Sequence, residues 1–222
     1  MKQETNKTIV ALDLPTWQNN VDLIHKLGNA QDFYKVGLGF ITKNGFDPIN
    51  VIKGANKKVF LDLKLFDISN TIKDAVKNCR DKGVDFLTVM GDPHIVDAAS
   101  SVKGDMKILA VTVLTSLTMS DVHMNLYPTH NLIEDIVRDR AMRADVAGAD
   151  GVICSPHEIE ILRTFHYEEL IVTPGIRSSG DDVGDQKRTA TREQALAWGA
   201  DYVVVGRPIY NAKDPYKALM EL

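Results

Sequence analysis

Cysteine is scarce: Cys79 and Cys154 are the two in 222 residues. That is too few for the disulfide framework of a small secreted domain and fits a reducing compartment. No apolar run approaches the roughly 20 residues that a membrane span needs. Residues 1–7 are polar and lead straight into an apolar segment, so they do not read as a signal peptide. The cytoplasm is the expected location. There is no Lys/Arg block and no basic stretch with interleaved aromatics, and the net charge is −4, which argues against nucleic acid as a partner. The histidines at 25, 94, 123, 130, 157 and 166 show no zinc-binding spacing. The acidic run at 181–185 lacks the spaced ligands and terminal glutamate of an EF-hand. No metal is expected.

What is present is a repeated unit. Short β-branched apolar runs recur at 8–13, 33–37, 59–64, 86–90, 108–114, 151–154, 170–173 and 202–206. Between them lie stretches at helical spacing, such as Ile72, Ala75, Val76 and Cys79, and more loosely Leu132, Ile133, Ile136, Val137 and Met142. Gly28, Gly83, Gly148 and Gly199 follow helical stretches and precede strands, where a left-handed residue ends a helix. Eight strands alternating with helices imply a parallel sheet. A doubly wound open sheet typically has five or six strands, so a single (β/α)₈ TIM barrel over residues 1–222 fits better. The longest connection, after the fifth strand, suggests a loop or extra turn at 117–130.

The third strand carries charge. At period two, Phe60, Asp62 and Lys64 share one face, and Leu61 and Leu63 the other. In a strand covered by helices, an unpaired charge costs several kcal/mol, so Asp62 and Lys64 are expected in a charge network. Asp13 and Lys35 stand near the ends of the first two strands, and Asp67 lies just beyond the third. A salt-bridge cluster that only ties strand ends together is the alternative for any one pair. Several groups of alternating sign at the C-terminal ends of three adjacent strands favour chemistry, because barrel enzymes keep their active sites there. Cys154 has no base partner in sequence and reads as a buried, inert thiol. His157-Glu158 reads as a helix start.

After the seventh strand comes Thr173-Pro-Gly-Ile-Arg177 and a segment rich in glycine and small polar residues at 178–185. After the eighth comes Gly206-Arg207-Pro208. The loops following these two strands form the usual phosphate site of the fold. Glycine lets backbone N–H groups approach an anion, a helix N-terminus adds positive potential, and Arg207 can fork onto two oxygens. The 178–185 segment is expected to close over a ligand.

Taken together, Asp62-x-Lys64-x-x-Asp67-Ile-x-Asn70-Thr71, Ala11-Leu-Asp13, Lys35-Val-Gly37, Leu114-Thr-Ser116, Val172-Thr-Pro-Gly-Ile-Arg177, Gly-Asp-Gln186 and Val205-Gly-Arg207 resemble orotidine 5′-phosphate decarboxylase, in order and over nearly the whole chain. The resemblance implies decarboxylation of orotidine 5′-monophosphate to UMP without a cofactor. Lys64 would protonate C6, Asp62 would face the departing carboxylate, and Asp67 and Thr71 would reach the neighbouring subunit's site in a homodimer. Asp13 and Lys35 would bind ribose, Thr115 or Ser116 the pyrimidine, and Gln186, Gly206 and Arg207 the phosphate. Arg177 would sit on the closing loop, and Asn70 beside Thr71 would belong to the binding set. The chain departs from the family at Phe66 and Ser69, where His and Pro are common, and at Val-Met-Gly-Asp-Pro after the fourth strand, where a His-containing stretch is common.

Removing carbon dioxide from C6 leaves a carbanion with no ring position to spread it well, so catalysis would rest on an ammonium placed where negative charge develops. Like-charge contact from Asp62 with the substrate carboxylate is a further, contested contribution. Two other readings stay open. One is a Mg²⁺-dependent sister, 3-keto-L-gulonate-6-phosphate decarboxylase or hexulose-6-phosphate synthase, which shares the Asp-x-Lys-x-x-Asp strand. The other is an inactive barrel that only binds phosphorylated metabolites.

Overall fold

A computed structural model describes residues 7–125, 132–177 and 188–222. Eight strands, β1 (Thr8–Ala11), β2 (Phe33–Gly37), β3 (Lys58–Leu65), β4 (Phe86–Met90), β5 (Lys107–Val111), β6 (Gly151–Ile153), β7 (Leu170–Thr173) and β8 (Tyr202–Val205), pair in parallel and close into a barrel in the order β1 to β8. The closing contact sets Ile9 opposite Val204. The (β/α)₈ expectation is met, with β1, β5, β6 and β8 ending one to three residues earlier than the apolar runs do. Those extra residues already belong to the loops at the barrel mouth.

Alternation along each strand divides the core in two. Ile9, Phe33, Phe60, Phe86, Leu109 and Val204 point into the barrel, while Val10, Tyr34, Leu61, Leu87 and Ile108 pack outward against helices. Phe33, Phe86 and Tyr202 meet edge to face, at 4.9 Å for Phe33–Phe86 and 5.4 Å for Phe86–Tyr202. Offset rings of this kind add to simple area burial and leave the opposite, C-terminal end for polar groups.

The helical face of Ile72, Val76 and Cys79 is buried as expected in the helix Ser69–Asp81. In Ile133–Val146 the buried face is instead Ile136, Val137, Arg140, Ala141 and Ala144. Leu132 precedes that helix and is exposed, as is Met142; the packing stripe includes the small residues Ala141 and Ala144 instead. Gly28, Gly83, Gly148 and Gly199 all have positive φ, in keeping with their role as helix stops. A further short helix, Met119–Asn125, occupies the first part of the long connection after β5.

Candidate active site

The three strands that carry the charges repeat one step. Ala11, Phe33 and Phe60 point into the barrel, and two residues further on stand Asp13, Lys35 and Asp62. Strand pairing sets Ala11 beside Lys35 and Gly37 beside Asp62. Period-two geometry thus lifts the ionic side chains one layer above the apolar barrel core, into a cavity of about 520 Å³ at the C-terminal mouth.

Within that cavity the Lys64 ammonium donates to Asp62 Oδ1 at 2.7 Å. Lys35 Nζ lies 3.4 Å from Asp13 Oδ1 and 3.8 Å from Asp62 Oδ2. Asp62 therefore sits between two cations. Burial alone would raise its carboxyl, but the Lys35 and Lys64 charges and hydrogen bonds from Lys64 and Thr88 outweigh that and hold it below its ordinary range.

Lys64 does not continue a regular strand. Its φ is +51°, in the left-handed region that non-glycine residues rarely occupy. The pairing of β3 with β4 slips between Leu61 and Leu65. The Lys64 N–H donates to Thr88 Oγ1 at 2.9 Å, and that hydroxyl donates to Asp62 Oδ1 at 2.9 Å. Local backbone strain is stored where a side chain must be aimed, and it persists because surrounding contacts fix it. Sequence reasoning missed Thr88, although a fully buried hydroxyl in an otherwise apolar β4 needs a hydrogen-bond partner.

The other end of the cavity is built from loops. Thr115 and Ser116 after β5, Arg177 after β7, and Gly206 and Arg207 after β8 all line it. Arg177 is buried at the root of its loop, with Nη1 donating to Ile176 O at 2.7 Å. Asp13, Lys35, Asp62 and Lys64 line the same space. Asp67, Asn70 and Thr71 do not. They are exposed, and Asp67 Oδ1 accepts from the adjacent Ile68 N–H. Gln186 and the 178–185 segment, with its acidic run, lie outside the described residues. Cys154 is fully buried and its thiol is pushed well above its ordinary value, by burial first and by Glu158 second, in keeping with an inert group. The His157-Glu158 pair opens a helical turn capped by Ser155.

The profile of the orotidine 5′-phosphate decarboxylase / HUMPS family matches residues 6–222. The chain belongs to that family. It is 47% identical over 222 residues to the orotidine 5′-phosphate decarboxylase of Ruegeria pomeroyi, covering 98% of this chain and 92% of the relative. It is 49% identical over 218 residues to that of Jannaschia sp., covering 96% and 95%. The crystal structure of the Lactobacillus acidophilus orotidine 5′-phosphate decarboxylase superposes with a TM-score of 0.83 at 34% identity, covering 97% of this chain and 96% of that one.

The Gly91-Asp92 step that follows β4 has a packing explanation. A Cβ at Gly91 would come within 2.8 Å of Val111 O and 3.3 Å of Arg140 Nη2. The mostly buried Arg140 fills that side and pairs with Asp92 at 3.0 Å. Glycine and aspartate after β4 thus belong with Arg140. Nothing in the structure explains Ser69.

Proposed function

We propose that this protein decarboxylates orotidine 5′-monophosphate to UMP, with Lys64 as the proton donor. The observation that carries this reading is the placement of the Lys64 ammonium, held by Asp62, in one cavity with Arg177, Gly206 and Arg207. The cations at the loop end suit a phosphate, and a single pocket that holds both them and Lys64 suits a nucleotide lying across it. When the C6–carboxyl bond breaks, carbon dioxide leaves and the electron pair stays on C6. Lys64 then gives its proton to C6 and is reprotonated from solvent. The ammonium beside the developing charge needs no reorganisation during the step. Asp62 orients it, and Thr88 fixes Asp62. Asp13 and Lys35 are suited to the ribose hydroxyls, and Thr115 and Ser116 to the pyrimidine edge. Gln186 is proposed for the phosphate on the family pattern.

The active unit is proposed to be a homodimer in which Asp67, with Asn70 and Thr71 beside it, serves the neighbouring subunit's site. Support comes from Phe66 and Ile68, which are 68% and 71% exposed on either side of Asp67. Large apolar side chains flanking a carboxylate at a rim call for a covering surface. Sedimentation that finds only an active monomer would overturn the shared site.

The direct test is the absorbance change of orotidylate on conversion to UMP, run with and without EDTA. Turnover that survives EDTA is expected and separates this reaction from the Mg²⁺-dependent sisters. Orotidine without its phosphate is expected to lose turnover as well as affinity, because remote binding energy is used at the reacting centre.

A further inference from the structure

Glu158, buried, and Arg188, half-buried, form an ion pair that none of the chemistry above uses. Glu158 is 1% exposed, at the end of the turn Pro156–Glu158 after β6. Its Oε2 accepts from the Ser155 N–H at 2.7 Å, and its Oε1 accepts from Arg188 Nη1. The guanidinium continues outward, with Nη2 donating to Leu114 O at 3.3 Å. Neither residue lines the substrate cavity, but the residues they hold do. Leu114, Thr115 and Ser116 form one wall, and Gly175 and Arg177 another. The strand of chain just after Arg188 is tied to that second wall. Ala190 O accepts from the Arg177 N–H at 3.0 Å, the Ala190 N–H donates to Gly175 O at 3.4 Å, and His157 Nε2 lies 3.1 Å from Thr189 O.

We propose that the Glu158–Arg188 pair is a positioning device that sets the spacing between the β5 wall and the β7 wall of the substrate cavity. A buried ion pair is poor evidence for stability, since apolar residues of similar volume often serve the fold as well or better. What apolar residues cannot do is hold the Leu114 carbonyl and the 188–190 segment to one rigid, planar fork. The Arg188 guanidinium joins three loops at once: the one after β5, the turn after β6, and the return from β7. Its role is to keep the pyrimidine-side and phosphate-side groups at the separation one nucleotide requires. Groups that grip the ligand alike in the ground and transition states show their misplacement in KM and affinity, with kcat little changed.

This inference rests on the orotidylate reading, and the experiment separates the two. The paired variant Glu158→Leu/Arg188→Met is compared with wild type for melting temperature, KM, kcat and UMP affinity by calorimetry. The expected result is a melting temperature within a few degrees of wild type, with KM raised and UMP affinity lowered by about tenfold or more, and kcat changed much less. Arg188→Lys is the second arm. A single ammonium can serve Glu158 or Leu114 but not with the fork geometry, so KM should rise by about threefold or more with little change in melting. Wild-type KM and UMP affinity in either folded variant would overturn the positioning role. If wild type itself fails to turn over orotidylate, the function falls, while the UMP comparison still tests the pair.

Discussion

Asp62 and Glu158 are two carboxylates drawn out of water at the mouth of one barrel, and their surroundings push them in opposite directions. Asp62 meets two ammonium groups and a hydroxyl, and its carboxyl is lowered from 3.8. Glu158 meets one guanidinium. Burial wins there and, with a smaller push from Glu134, raises it from 4.5 to about 7 against the pull of Arg188 and the Ser155 N–H. The number of cations per carboxylate separates a carboxyl that is lowered from one that is raised. Position in the fold decides that number. Asp62 is on a strand whose neighbour β2 supplies Lys35 and whose own distorted backbone returns Lys64, whereas Glu158 receives its cation from a loop 30 residues away.

Lys64→Ala carries the greatest loss. It is expected to lower kcat by at least about 10⁴-fold, combining loss of the proton donor and of the preorganised charge, while UMP still binds. A purified variant with near-wild-type rates would end the mechanism. Asp62→Asn comes next. It removes the charge that separates Lys35 from Lys64, and breaking such a pair from one side should destabilise by about 3 kcal/mol, read by urea denaturation, along with a severe loss of turnover. Thr88→Val keeps the shape but strands the Lys64 N–H and removes a donor to Asp62. It should cost about 1–3 kcal/mol and move kcat more than KM, because the ammonium loses its aim.

The smallest effect is in the pH dependence of melting. The lowered Asp62 carboxyl contributes stability that is present above its ordinary range and lost as pH falls below about 4. The raised Glu158 carboxyl acts oppositely: its contribution is full below about 4.5 and lost as pH rises through about 7. Glu158→Gln should flatten melting temperature against pH between those limits, by a few degrees, and leave the acid limb unchanged. An unchanged slope near neutrality would mean that Arg188 holds Glu158 fully ionised throughout.

The positions of Asp13, Lys35 and Asp62 were legible in the sequence because period-two alternation is local. Given a parallel strand, the side of the sheet follows from counting. The cavity-lining places of Arg177, Gly206 and Arg207 were legible because glycine and arginine after late barrel strands have a chemical reason to be there. Thr88 and the Glu158–Arg188 pair were not. Each depends on a partner far away in sequence (Thr88 on Asp62 across 26 positions, Glu158 on Arg188 across 30), and no spacing rule connects such residues. Leu132 and Met142 are exposed despite being apolar, since apolar character alone does not say which stripe of a helix faces the barrel.

Eight apolar runs with helical stretches between them were enough to specify the barrel and the identity of the groups at its mouth. Tertiary packing sets the left-handed turn by which Lys64 meets Asp62, and the opposite shifts of the Asp62 and Glu158 carboxyls. Both outcomes depend on which cations neighbouring segments bring within a few ångströms and on how much water they exclude. Those are properties of packing that no single segment contains.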